Sequence, residues 1–286
     1  MRAATWCGEP VIGLAGDGWS ARVSPRRGGK IVSLRSGGQE WLAQPRQPLP
    51  APAAPGAVFT DAEMCGWDEC APSIVAGSVA GRTMPDHGEL WTQRWHVDGD
   101  RLTAEGPSFD YRFERRLVSR GPALRLEYTV RAGKDDVPFL WAAHPQLVAP
   151  PGSVVSIATN ATHAWDVLAE PAAPVVLRRE TCTVDTLEPG GCRKFYLGPD
   201  ERASSASLTL PGDRALTMSW DPTLTPYLGI WMDRCAYSRE PVVAIEPSTG
   251  FYDSLESALG RGLVPVVPAG SELSWWCEIS FDRTGA

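Results

Sequence analysis

Short apolar runs separated by glycine and proline dominate this chain, and their period is that of β-strands. The clearest case begins at residue 109, where Phe109, Tyr111 and Phe113 alternate with polar residues. Residues 120–122 (Arg-Gly-Pro) supply a turn, and alternate positions are again apolar from 124 to 130. This alternation predicts an antiparallel hairpin with one buried face.

Similar runs along the rest of the chain predict many further strands. They cover residues 19–24, 30–35, 40–42, 90–97, 137–145, 153–158, 174–180, 193–197, 203–210, 214–220, 226–232, 242–245 and 272–281. Residues 43–57 are rich in alanine and proline and predict a long surface loop. Residues 64–72 show no clear period and are expected to be irregular, and a single helix is expected at residues 253–259. The sequence therefore predicts an all-β protein, a large antiparallel β-sandwich forming one domain over residues 1–286.

The charge and the residue content of the chain bear on its binding partners and on its cellular location. The formal net charge of −7 makes nucleic acid or an anionic membrane an improbable main partner, and a small molecule suits the balance better. No apolar run approaches the roughly 20 residues of a membrane span, and no signal peptide is recognisable, so we expect a cytoplasmic protein. The seven cysteines show no spacing that completes a zinc site, so we expect free reduced thiols. The twelve tryptophans suit a core, but indole faces also bind sugar rings.

Two apolar runs end in a titratable residue followed by proline. Residues 242–245 lead to Glu246 and Pro247, and residues 137–143 lead to His144 and Pro145. Alone, Glu246 would be expected at a solvated sheet rim. A second such strand end, together with His87 in a predicted turn, indicates instead a histidine acid and a glutamate base on one surface.

These segments, in this order, resemble the aldose 1-epimerase (galactose mutarotase) family. Asp-His-Gly at residues 86–88 is similar to the turn that carries the first histidine of the family, and Ala-His-Pro at 143–145 is similar to the second. Ile-Glu-Pro at 245–247, followed by Asp253, resembles the catalytic glutamate strand, and residues 28–34 resemble the opening hairpin. The similarity extends from about residue 28 to the C-terminus, and the ordered set is more specific than any one motif.

The resemblance implies a galactose mutarotase-like sandwich without a cofactor, and it implies roles for three residues. Glu246 would take the proton of the sugar's C1 hydroxyl, and His144 would protonate the ring oxygen. His87 would be a second donor to a hydroxyl or to the ring oxygen. The ring would open, rotate about C1–C2 and close as the other anomer. The expected partner is a small-molecule sugar; which sugar it is, and the oligomeric state, are not determined by the sequence.

Two segments depart from the family pattern. Residues 64–70 lack the arginine that precedes the first histidine in better-known mutarotases, and the second histidine lacks its Asn-His-x-Tyr-Phe-Asn setting. For the sugar contacts we predict Trp67, Asp68 and Trp91. Asp221 and Asp233 are candidates for the sugar-binding aspartate of the family, and Asp233 is preferred.

Two alternatives from other classes remain open. A non-catalytic carbohydrate-binding protein would use the same sandwich and tryptophans, although binding alone does not require Glu246. A glycoside hydrolase or lyase on a related sandwich would need a second carboxylate near Glu246. Asp68 and Glu69 are the candidates for that partner.

Overall fold

The computed structural model describes residues 1–62 and 64–283, and this part of the chain is almost entirely β-structure. Its earlier strands are β1 (Arg2–Trp6), β2 (Glu9–Gly16), β3 (Trp19–Ser24), β4 (Lys30–Ser36), β5 (Gln39–Glu40), β6 (Trp67–Cys70), β7 (Gly77–Val79), β8 (Arg82–Met84), β9 (His96–Asp98), β10 (Arg101–Gly106), β11 (Tyr111–Arg120), β12 (Ala123–Ala132), β13 (Val137–Pro138), β14 (Ala142–Pro145) and β15 (Leu147–Val148).

The later part of the chain continues the same pattern. Its strands are β16 (Val154–Thr159), β17 (His163–Asp166), β18 (Ala173–Val176), β19 (Cys192–Leu197), β20 (Ala203–Leu210), β21 (Arg214–Trp220), β22 (Tyr227–Asp233), β23 (Val242–Ser248), β24 (Val266–Val267) and β25 (Glu272–Arg283). The helical segments are α1 (Phe59–Ala62), α2 (Leu255–Gly260) and two 3₁₀ turns at Arg179–Thr181 and Val184–Thr186.

Two large antiparallel sheets contain most of these strands. The first has the order β1-β2-β3-β4-β6-β14-β23-β22-β19-β17-β18, with β5 beside β4 and β15 beside β23. The second has the order β16-β20-β21-β25-β12-β11-β10-β9. Side chains from both sheets form one large apolar cluster, as expected for sheets packed face to face. The prediction of a large antiparallel β-sandwich is confirmed.

The hairpin that the clearest alternation predicted is present as β11 and β12. Tyr111 pairs with Ala132 and Arg120 with Ala123, and the apolar set on β11 is buried at every second position. Hydrophobic alternation is a reliable signal here because one face of this hairpin packs on the other sheet while the opposite face meets water.

Three local predictions differ from the structure. The segment expected to be irregular contains β6, whose four residues are all buried, so no alternation marks it. The strand expected at residues 90–97 is present only as β9, because residues 89–93 form turns and bends, in which Trp91 is buried. The run at 137–145 is divided into β13 and β14. Strands β1 and β2 and helix α1 were not predicted.

A buried ion pair joins the two sheets. Glu69 on β6 accepts hydrogen bonds from Arg115 Nη1 at 2.6 Å, Trp141 Nε1 at 2.8 Å and Tyr128 Oη at 3.2 Å. Glu69 and Arg115 are both completely buried, and Arg115 also donates to the carbonyl of Gly29. Glu69 is therefore committed to the core and is not available as the second carboxylate of a hydrolase.

Replacing Arg115 should destabilise the sandwich. In Arg115→Met, Glu69 keeps its buried position but loses its cation, which is expected to cost about 3–5 kcal/mol of unfolding free energy. Urea unfolding measures the loss. The matched control is Arg101→Met, because Arg101 pairs with Glu114 on the surface and such pairs contribute about 0–1 kcal/mol. Equal stability losses for the two variants would contradict the role given to Arg115.

Candidate active site

Three titratable residues form one row across the central strands of the first sheet. On β6 and β14, Asp68 lies opposite His144. On β14 and β23, Ala142 lies opposite Ser248, and the same register places His144 opposite Glu246. Side chains directly opposite each other on neighbouring strands project from the same face. The sheet therefore presents a carboxylate, an imidazole and a second carboxylate side by side.

Glu246 and His144 are close and almost fully shielded from solvent. Glu246 Oε1 lies 3.6 Å from His144 Nε2, and the two side chains are 0% and 4% exposed. Pro247 does not end the strand, since β23 continues to Ser248. Glu246 is thus in the interior of a central strand rather than at a solvated rim.

A neighbouring amide orients the His144 ring. Gln146, two residues further along the chain, is fully buried and places Nε2 3.1 Å from His144 Nδ1. An amide nitrogen only donates, so Nδ1 accepts this bond and the proton of the neutral ring resides on Nε2, facing Glu246. The Gln146 carbonyl oxygen has no hydrogen-bond partner within the described ranges. A half-turn of the amide would let that oxygen accept from Nδ1–H when the ring is protonated.

His87 reaches the same region from a tight turn. Its backbone is left-handed, with φ +56°, and Gly88 follows at φ +75°. Gly88 is required there, because a Cβ atom would lie 2.0 Å from the carbonyl oxygen of Ala71. His87 Nδ1 contacts Asp86 Oδ1 at 2.9 Å, and its ring centre is 5.2 Å from that of His144. The structure therefore brings His87, His144 and Glu246 together.

Phe59 covers the two imidazoles. Its ring stacks on His87 with centres 4.1 Å apart and meets His144 edge-on at 5.1 Å. The carboxylate of Asp86 anchors the Phe59 backbone by accepting its N–H at 2.8 Å. Phe59 is 1% exposed, while the next residues of α1 line a cavity of about 420 Å³. α1 therefore separates the imidazoles from an open cavity.

Burial is the main cause of the pKa shifts in this site. Burial raises the pKa of Glu246 above its usual 4.5, although the nearby ammonium of Lys194 opposes the shift. Burial also lowers the pKa of His144 well below 6.5, and His87 and Lys194 lower it further. The two shifts have opposite signs: burial makes Glu246 a stronger base and His144 a stronger acid than they are in water.

Solved structures resemble the chain over nearly its whole length. The Slr1438 protein from Synechocystis matches with a TM-score of 0.74 and 16% identity, over 99% of this chain and 100% of that one. A galactose mutarotase-like protein from Clostridium acetobutylicum matches with a TM-score of 0.70 and 15% identity, covering 99% and 98% of the two chains. One from Lactobacillus casei gives 0.69 and 16%, covering 95% and 100%. This chain has the galactose mutarotase-like fold.

At sequence identities of 15–16% the structural similarity establishes the fold, and the reaction has to be argued from the residues of the site. No protein-family model matches this sequence, and no curated relative matches it either.

Among the helices of the described ranges, none has the length and apolar character that a membrane span requires. All seven cysteines are described and none forms a disulfide.

The predicted sugar contacts lie at different distances from the row. Asp68 is in it and pairs with Lys30 Nζ at 3.1 Å. Trp91 lies beside it, since its ring meets Phe59 edge-on at 5.0 Å. Trp67 is fully buried in the main apolar cluster, on the opposite face of β6 from Asp68. In this closed arrangement Trp67 is a core residue.

The two aspartates proposed for sugar binding form local backbone contacts. Asp233 is completely buried and accepts the N–H groups of Ala236, Tyr237 and Ser238, which holds the loop after β22. Asp221 accepts the N–H of Thr223 at 2.9 Å in a turn. Neither carboxylate contacts the His144–Glu246 pair in this structure.

Two buried lysines that pair with carboxylates of the row were not predicted as site residues. Lys194 on β19 is buried, with Nζ 2.8 Å from Glu246 Oε2, and Lys30 on β4 faces Asp68. A lysine inside a predicted strand, two positions from Tyr196 on the same face, was the available signal. In the described ranges no group of three histidine, cysteine or acidic side chains has the geometry to hold a metal ion.

Removing the Phe59 ring should expose His144 to reagents. In Phe59→Ala, we expect diethyl pyrocarbonate to modify His144 several-fold faster than in the wild type, because its ring edge is no longer covered. Peptide mass spectrometry gives the rate at each histidine, and the exposed His96 and His163 serve as internal standards. An unchanged rate at His144 relative to His163 would show that another element shields it.

Proposed function

We propose that this protein is an aldose 1-epimerase-like enzyme that interconverts the anomers of a sugar by opening and closing its ring. The observation that carries the proposal is the placement of His144 Nε2 and Glu246 Oε1, 3.6 Å apart on one sheet face, with His87 beside them. The galactose mutarotase-like fold of the whole chain supports it.

The proposed chemistry removes a proton from the C1 hydroxyl of the sugar and delivers a proton to the ring oxygen. Glu246 Oε1 accepts the proton of the C1 hydroxyl, and the electrons of that O–H bond form the aldehyde carbonyl. The bond between C1 and the ring oxygen breaks, and the ring oxygen receives the proton of His144 Nε2. Rotation about C1–C2 and the reverse transfers close the other anomer. His87 donates to a hydroxyl or to the ring oxygen.

Sugar access requires Phe59 to leave the imidazoles. Phe59 is 1% exposed and stacks on His87, so in the closed arrangement its ring occupies the space in which a sugar would approach. We propose that α1 moves towards the neighbouring cavity and that the apolar face of the sugar replaces the Phe59 ring.

The alternatives fit the same geometry less well. A hydrolase needs a second carboxylate that can act on the same glycosidic bond as Glu246. Glu69 lies in the core, and Asp68 is held by Lys30 and separated from Glu246 by the strand that carries His144. A binding protein needs no buried carboxylate next to an imidazole.

The first test is mutarotation itself. Wild-type protein should speed the equilibration of freshly dissolved α-anomers of at least one aldose, followed by polarimetry or NMR. Glu246→Gln and His144→Asn should each lower kcat by roughly 10²–10⁴-fold, because each removes one proton-transfer group. The surface controls Glu256→Gln and His163→Asn should retain activity. No acceleration over buffer with any sugar tried would refute the proposal.

The second test is the pH dependence of kcat/KM. In the active form the Glu246 carboxyl group is ionised and the His144 ring is protonated on both nitrogens. Activity should therefore fall at low pH, where Glu246 becomes protonated, and at high pH, where the His144 ring becomes neutral. Burial raises the pKa of Glu246 and lowers that of His144, so the bell should be narrower than the one expected for a carboxylate and an imidazole in water. A plateau that continues above pH 6.5 would show instead that neutral His144 acts as a hydrogen-bond donor.

A further inference from the structure

Lys194 is the residue that determines how the Glu246 carboxyl group is held. Its Nζ lies 2.8 Å from Glu246 Oε2 and 2.8 Å from Asp253 Oδ1. Tyr196 Oη donates to the same oxygen of Asp253 at 2.6 Å. The side chain of Lys194 is 7% exposed and that of Glu246 is completely buried. Two carboxylates thus share one buried ammonium, and a phenol fixes the outer carboxylate.

The contact distinguishes the two oxygens of Glu246. Lys194 Nζ forms an ion pair with Oε2 at 2.8 Å, whereas Oε1 faces His144 Nε2 at 3.6 Å, too long for a hydrogen bond. Apart from that ion pair, neither oxygen is hydrogen-bonded within the described part of the chain. A buried carboxylate normally has its oxygens satisfied, so an unpartnered one is unusual. Because the ammonium lies against Oε2, Oε1 is the oxygen left to accept a substrate proton.

The sheet register explains why a lysine from β19 can do this. Lys194 and Tyr196 are two positions apart and so project from the same face of β19. Gly229 on the intervening strand β22 is paired with both Tyr196 and Glu246. A Cβ atom at Gly229 would lie 2.7 Å from the Tyr196 ring, so the absence of a side chain there leaves room for the lysine–carboxylate network.

We propose that Lys194 is a positioning residue of this site: by holding Oε2 it keeps Glu246 ionised in a fully buried position and leaves Oε1 as the proton-accepting atom. Asp253 has the opposite effect, because it draws the ammonium towards itself and adds a second negative charge near Glu246. The balance between Lys194 and Asp253 then sets the pH at which Glu246 can act as a base. This inference deepens the proposed function and rests on it.

The direction of each effect follows from electrostatics. Burial raises the pKa of Glu246, Lys194 lowers it and Asp253 raises it. Burial alone would lower the pKa of Lys194, but its two carboxylates raise it overall, so it remains charged across the working range. Removing Lys194 should therefore raise the pKa of Glu246, and neutralising Asp253 should lower it.

The test is an infrared titration of the Glu246 carboxyl group, which needs no substrate. Its C=O band is assigned by its absence in Glu246→Gln. In Lys194→Met the protonated band should persist to a pH about 1–3 units higher than in the wild type, which is the usual effect of removing a close opposite charge. Asp253→Asn should shift the titration in the opposite direction, and Lys194→Arg should restore it to near the wild-type position.

Activity assays of the same variants separate the two proposals. The acid limb of kcat/KM should move up in Lys194→Met and down in Asp253→Asn, whereas a purely structural role would reduce activity equally at every pH. If Lys194→Met does not fold, the Asp253→Asn shift alone decides. An unchanged Glu246 titration in Lys194→Met, or shifts of the same sign in both variants, would overturn the role of Lys194. Expected titrations without mutarotation would refute the proposed function and leave only the effect of Lys194 on the ionisation of Glu246.

Discussion

The burial of an ionised carboxylate at the centre of the first sheet is the constraint on which the site depends. Removing a carboxylate from water costs several kcal/mol unless a nearby cation and hydrogen bonds compensate. Lys194 provides the cation for Glu246, and Asp253, which accepts a hydrogen bond from Tyr196, binds the same ammonium. The lysine that makes Glu246 tolerable in the interior therefore also orients it.

Strand register distributes acidic side chains between the core and the site. Asp68 and Glu69 are consecutive on β6 and so project from opposite faces. Glu69 enters the space between the sheets and pairs with Arg115, while Asp68 joins His144 on the other face. A slip of one residue would exchange the two, placing the wrong carboxylate in each environment. The inter-sheet ion pair thus helps to define the register that aligns the row.

The covering of the site by Phe59 affects the electrostatics as well as the access. The Phe59 ring lies against His87 and His144 and contributes to the burial of His144, which is the main reason why the pKa of His144 is lowered. Asp86, in the turn that carries His87, anchors Phe59. One oxygen of its carboxylate accepts the backbone N–H of Phe59, and the other contacts the ring of His87. Closure of α1 and the position of the first histidine are therefore linked through one carboxylate.

The sequence by itself determined the class of fold, and it predicted the three residues that the structure brings together. Alternation predicted the β11–β12 hairpin, and the repeated pattern of an apolar run, a titratable residue and proline singled out His144 and Glu246 as candidates. It did not predict β6, because a strand buried on both faces carries no alternation. It did not predict Lys194, Gln146 or Phe59, because partners from distant strands meet only when the sheet order and register are known. Tertiary structure also decided that Glu69 and Trp67 belong to the core, since a change of one position along a strand reverses the face to which a side chain points.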